Sequence, residues 1–179
     1  MLRLDDTFLV LVDVQTKLAA VMHERDAMVE GCRRAVACMR TLNVPVLWTE
    51  QLPAKIGPTV PELTAALAGL TPITKSSFSC WGEPAFASAV RDLKRKRALL
   101  AGIETHVCVY QTASDLFAAG YHVEVLHDAV TSRTPVNRET GLDRVRACGG
   151  SITSVETAVF ELMRSAEHPA FRDVLKIIK

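Results

Sequence analysis

Phe8-Leu9-Val10-Leu11-Val12 is an unbroken apolar run that ends on Asp13. At the two-residue period of a strand, such a run presents apolar side chains on both faces. Only a sheet covered on both sides by helices hides both, so this segment alone points to a layered α/β chain. The rest repeats the theme. Val29, Cys32, Val36 and Met39 recur at helical spacing, and Val44–Thr49 reads as a second strand. A short helix over Pro61–Leu70, a short strand over Pro72–Thr74 and a helix over Glu83–Lys94 follow. Arg97–Gly102 and Tyr121–His127 are strands on either side of a helix that Gly120 stops. Asn137–Cys148 is a helix and Ser151–Thr153 a last strand. Two helices close the chain, one opened by the capping-box spacing Thr153-Ser-Val-Glu156 and one started by His168-Pro169. Repeated βα units imply a largely parallel sheet with helices on both faces, and ligands at the carboxyl ends of its strands.

The 179 residues fit one domain spanning 1–179, large enough for a core without disulfides. A net charge of +1 gives no footprint for nucleic acid or a membrane surface. The basic run Arg91–Arg97 reads as a solvated helix end. Five cysteines, odd in number and without a CxxC pair, argue against a disulfide framework and suit a reducing compartment. With no signal-peptide pattern and no membrane-length apolar run, the expected location is cytoplasmic.

Three polar residues stand at strand ends. Asp13 closes the first strand, Lys75 follows the Pro72–Thr74 strand, and Cys108 lies one turn past Gly102 where a helix begins. A carboxylate can take a thiol proton. A nearby ammonium and a helix N-terminus lower a thiol pKa, so the three together read as an activated nucleophile. Each alone has a plainer reading: a turn-capping carboxylate, a surface lysine, a small buried hydrophobe.

The motifs Leu11-Val-Asp13-Val-Gln15, Thr74-Lys75-Ser-Ser-Phe78-Ser79 and Gly102-Ile-Glu-Thr105-His-Val-Cys108-Val109 resemble those of the isochorismatase-like cysteine hydrolase superfamily. Trp48-Thr-Glu-Gln51, Gly57-Pro-Thr-Val-Pro-Glu62 and the tail from Thr157 to Lys179 resemble the branch of isochorismatase domain-containing proteins. The resemblance implies a three-layer α/β/α sandwich with a mostly parallel six-stranded Rossmann-like sheet. It implies Cys108 as nucleophile, Asp13 as base and Lys75 as the group that holds the thiolate. It also implies a cis peptide between Ile103 and Glu104, with the Glu104 and Cys108 amides as oxyanion hole. The implied reaction cleaves an amide-type C–N bond of a small molecule through a thioester, without a cofactor. Thr49-Glu50-Gln51 stands where nicotinamidases of the superfamily have a metal-binding Asp-x-His, so no metal is expected. Gln15, Glu50, Phe78, Trp81 and Thr105 are candidates for substrate contact, and assembly into a homo-oligomer, dimer or higher, is implied. Two readings stay open beside this one: vinyl-ether hydrolysis of isochorismate, and a non-catalytic oligomeric binding protein that keeps the fold.

Overall fold

A computed structural model describes all residues, Met1–Lys179. Its strands are β1 (Thr7–Val12), β2 (Val46–Gln51), β3 (Ile73–Lys75), β4 (Arg97–Ile103), β5 (His122–Thr131) and β6 (Ser151–Thr153). The helices are α1 (Thr16–Ala19), α2 (Arg25–Thr41), α3 (Pro53–Ile56), α4 (Pro61–Thr64), α5 (Pro84–Asp92), α6 (Tyr110–Ala118), α7 (Pro135–Ala147), α8 (Val155–Met163) and α9 (Phe171–Ile178). A 3₁₀ turn at Cys80–Gly82 precedes α5, and a π-helical turn at Thr105–Val109 runs into α6. The six strands form one sheet in the order β3-β2-β1-β4-β5-β6, and every pairing is parallel.

The alternation along β1 builds both cores. Leu9 and Leu11 face a cluster with Cys32, Val36 and Met39 of α2, Val159 and Leu162 of α8, and Val174 of α9. Phe8, Val10 and Val12 face the other side, against Phe86 and Val90 of α5, Leu116 of α6, and Leu142 and Val145 of α7. This is the expected sandwich. α9 packs on this chain's own core through Phe171, Val174, Ile177 and Ile178.

Several boundaries differ from the sequence reading. The helix expected over 61–70 is regular only to Thr64; Leu67 is still buried beyond it, and Gly69, at φ 80°, turns the chain away. β5 runs four residues beyond His127, after a register shift between Leu100 and Gly102 of its neighbour β4. Ser154, not Thr153, caps α8: its hydroxyl accepts from the Thr157 N–H at 3.0 Å, while Asp128 takes the Val155 N–H at 2.9 Å. The basic run is not a free patch. Arg95 reaches the Leu4 and Thr7 carbonyls, Arg97 pairs with Asp6, and Arg91 and Lys96 lie over the Trp81 and Tyr121 rings.

Chain order along the sheet reverses between β1 and β4. From β1 the chain steps outward to β2 and β3, then returns to place β4, β5 and β6 on the other side. Crevices at such a switch point are where open α/β sheets bind ligands. Asp13 leaves β1 and Cys108 follows β4, so these two flank it.

Candidate active site

Asp13 is the first residue past β1, with φ 49°, in the left-handed region that Asp tolerates better than most residues. Its N–H donates to the Thr49 carbonyl at 3.2 Å and its carbonyl accepts from the Gln15 N–H at 2.7 Å. This turn aims the carboxylate across the end of β2. There Oδ1 accepts from the Thr49 hydroxyl at 2.7 Å and Oδ2 from the Lys75 ammonium at 2.5 Å. Both side chains of this ion pair are fully buried.

Lys75 ends β3, two strands from β1, and its long stem spans that gap. Its ammonium has three donors and three acceptors in reach: Asp13, the Ser77 carbonyl at 3.0 Å and the Phe78 carbonyl at 3.1 Å. Burial pushes the Lys75 pKa down, but the Asp13 carboxylate opposes it, and the ammonium stays above the usual lysine value. With all three N–H bonds used, Lys75 reaches the Cys108 sulfur through its charge and not through a hydrogen bond.

Cys108 sits in the π-helical turn, where the Val109 N–H reaches back to the Glu104 carbonyl at 3.2 Å. Local π-helical geometry concentrates at functional sites because it re-aims a side chain. Two glycines make the placement possible. A Cβ on Gly102, at φ 113°, would stand 2.1 Å from the Val12 carbonyl oxygen. A Cβ on Gly141 would stand 2.6 Å from the His106 nitrogen, so only glycine lets α7 back this turn so closely. The Ile103–Glu104 peptide is cis. The Glu104 carboxylate turns to Arg133, accepting from its N–H and Nε at 3.1 Å.

The thiol departs from expectation. Burial pushes the Cys108 pKa well up, the Asp13 carboxylate adds to that, and Lys75 opposes both without prevailing. The Cys108 sulfur donates to Gln51 Oε1 at 3.4 Å.

The tentative contact residues scatter. Gln15 is fully buried and its amide is consumed by backbone: Nε2 donates to the Gln51 and Gly57 carbonyls at 3.0 and 2.6 Å, and Oε1 accepts from the Gln51 N–H at 2.7 Å. Glu50 Oε1 accepts from the Thr59 N–H and hydroxyl, both at 2.7 Å, which ties down the 50–60 loop. Trp81 lies edge-on to Tyr121 with Arg91 over its ring. Phe78 is 54% exposed, and the Thr105 hydroxyl is buried without a partner. His106 bonds Ser132 Oγ at 3.0 Å, as suits a rim residue. Thr49 and Gln51 touch the Asp13–Cys108 pair and were not singled out from sequence. Their place at the carboxyl end of β2, beside Asp13, was the available signal. A hollow of about 410 Å³ opens next to the site, lined by Leu52, Pro53, Lys55, Lys75, Ser76 and Glu83 among others.

A model of the isochorismatase domain matches residues 7–157. The chain belongs to the isochorismatase family. Isochorismatase domain-containing protein 2 of Bos taurus is 39% identical over 174 residues, 97% of this chain and 83% of the bovine protein. Among solved structures, the MAR1 ribonuclease of Caenorhabditis elegans superposes with a TM-score of 0.93 at 34% identity, covering 99% of this chain and 91% of that one. YcaC of Pseudomonas aeruginosa, solved with hexane-2,5-diol and covalent acrylamide, superposes with a TM-score of 0.91 at 25% identity, covering 98% of this chain and 90% of that one. Both solved structures share the α/β sandwich described above over nearly its whole length.

Proposed function

We propose that this isochorismatase-family hydrolase cleaves an amide-type C–N bond of a small molecule through a Cys108 thioester. The observation that carries the reading is the convergence of a buried Asp13–Lys75 pair, 2.5 Å apart, with the Cys108 thiol at the switch point of the sheet. Asp13 takes the thiol proton as sulfur attacks the carbonyl carbon. The carbonyl electron pair moves to oxygen, where the Glu104 and Cys108 N–H groups receive it as an oxyanion hole. Collapse breaks the C–N bond, and the leaving amine takes the proton from Asp13. Water, deprotonated by Asp13, then attacks the thioester, and the acid leaves as the thiol reforms. Lys75 keeps Asp13 charged and oriented, and its own charge favours the thiolate as it forms.

The burial of the site supports a small substrate: Cys108 is only 5% exposed, and Asp13 and Lys75 still less. A small carboxamide is also the compound held covalently by the P. aeruginosa neighbour. RNA cleavage, suggested by the C. elegans neighbour's name, is the competing outcome, but a polynucleotide backbone reaches such a buried sulfur poorly. Exposed Phe78 and Val136 suit assembly into a homo-oligomer, to be checked by light scattering.

The test is amine or ammonia release from a panel of small carboxamides, with RNA and isochorismate alongside. The wild type should release amine and accumulate an acyl adduct on Cys108 visible by intact mass, and Cys108→Ala should lose at least about a thousandfold in rate. Isochorismate cleavage that survives Cys108→Ala would replace the thioester reading. Inertness toward all three would favour the binding-protein reading.

A further inference from the structure

Asp13, Lys75 and Cys108 each have a step in that reaction. Gln51 has none, yet its side chain holds the sulfur. The Gln51 carboxamide stands between two partners of different chemistry. On one side is the Ser76 carbonyl, which can only accept, and Gln51 Nε2 donates to it at 3.5 Å. On the other is Cys108 Sγ, 3.4 Å from Oε1. An amide oxygen can only accept, so this contact requires the proton to be on sulfur. The main chain of Gln51 is clamped as well, since the Gln15 amide binds both its N–H and its carbonyl. The carboxamide is thus fixed with its oxygen toward the thiol. Meanwhile both Asp13 oxygens already accept from Thr49 and Lys75, and the carboxylate, itself within hydrogen-bond reach of the thiol, competes with Gln51 for the S–H.

We propose that Gln51 is a latch on the nucleophile, opened by an N–H of the substrate. A substrate N–H donates to Oε1 in place of the thiol, and the freed S–H turns to Asp13. Among small acyl compounds this selects primary and secondary carboxamides over tertiary amides and esters. The inference rests on Cys108 as nucleophile, but not on hydrolysis, because it concerns only the release of the thiol proton.

Acrylamides test it directly. In their addition the S–C bond forms at the β-carbon and the C=C π pair moves to the α-carbon. The thiol proton, passed through Asp13, ends there, so no co-reactant is needed. Cys108 labelling rates with acrylamide, N-methylacrylamide and N,N-dimethylacrylamide are measured by peptide mass spectrometry, each normalised to glutathione. The first two should exceed the third by about three- to tenfold, the range one neutral hydrogen bond supplies. In Gln51→Leu that preference should fall to about one, while the rate with N,N-dimethylacrylamide rises. Gln51→Glu keeps an acceptor and should keep the preference. Equal normalised rates in the wild type, or a preference that persists in Gln51→Leu, would overturn the latch. If Gln51→Leu does not fold, the wild-type ratio and Gln51→Glu still decide. A chain that hydrolyses amides without this preference keeps the proposed activity and loses the latch. A chain with the preference but no turnover does the reverse.

Discussion

Cys32 and Cys108 lie under opposite faces of the same sheet. Both are buried, and burial pushes both thiols well above the ordinary range. Both donate to an oxygen acceptor, Cys32 to the Ala129 carbonyl at 3.2 Å and Cys108 to Gln51 at 3.4 Å. The difference is the company. Cys32 sits on α2 among Met28, Val36 and Met39, whereas Cys108 shares its site with a carboxylate and an ammonium. Burial therefore does not separate a structural thiol from the proposed nucleophile here. What separates them is a group able to take the proton and a charge able to favour the anion.

That contrast breaks first in turnover. Cys108→Ala should abolish amide cleavage by at least about a thousandfold, while Cys32→Ala leaves the rate within about twofold and costs roughly 1–2 kcal/mol in urea unfolding. Loss of activity in both variants would erase the distinction.

The next largest effect is on stability. Lys75→Met leaves the Asp13 carboxylate buried and unpaired, which should cost about 3–5 kcal/mol as well as turnover. Asp13→Asn with Lys75→Met should recover part of that loss without recovering activity. A Lys75→Met protein as stable as the wild type would mean that the pair is not assembled.

Each of two buried thiols adds a smaller effect at alkaline pH. Burial pushes the Cys38 and Cys80 thiols up to about 11. Above the ordinary thiol pKa the unfolded chain loses protons that the folded chain retains. Stability present below about pH 9 is then lost as pH rises toward 11, by about 1.4 kcal/mol per pH unit for each thiol. Urea midpoints from pH 8 to 11 should fall accordingly, and Cys80→Ala should flatten the slope. Midpoints independent of pH would contradict the assigned shifts.

The legible parts of this molecule are those whose cause is local. Phe8–Val12 announces a doubly covered strand because both faces of a short apolar run must be buried. The meeting of Asp13, Lys75 and Cys108 was legible because each stands at or shortly past a strand end, and strand ends of one sheet converge. The one-turn helices α1 and α3 are too short to show a period, and β5 continues past His127 and Asp128 although these break its apolar pattern. Gln15 and Gln51 were the hardest. Their amides bind groups set by folding, 36 residues apart along the chain for one another and 57 for Gln51 and Cys108. The upward shift of the Cys108 thiol was illegible for a related reason. The Lys75 charge is visible in the sequence, but the burial that outweighs it is not.

The most direct test of the central claim is the pH profile of iodoacetamide labelling at Cys108 and Cys32, followed by peptide mass spectrometry in wild type, Asp13→Asn and Lys75→Met. The Asp13 charge raises the Cys108 pKa and the Lys75 charge lowers it, so the Cys108 profile should move to lower pH in Asp13→Asn and to higher pH in Lys75→Met. The Cys32 profile should move in neither. Cys108 profiles that coincide in all three proteins, or that shift the same way in both variants, would show that Asp13 and Lys75 do not govern this thiol.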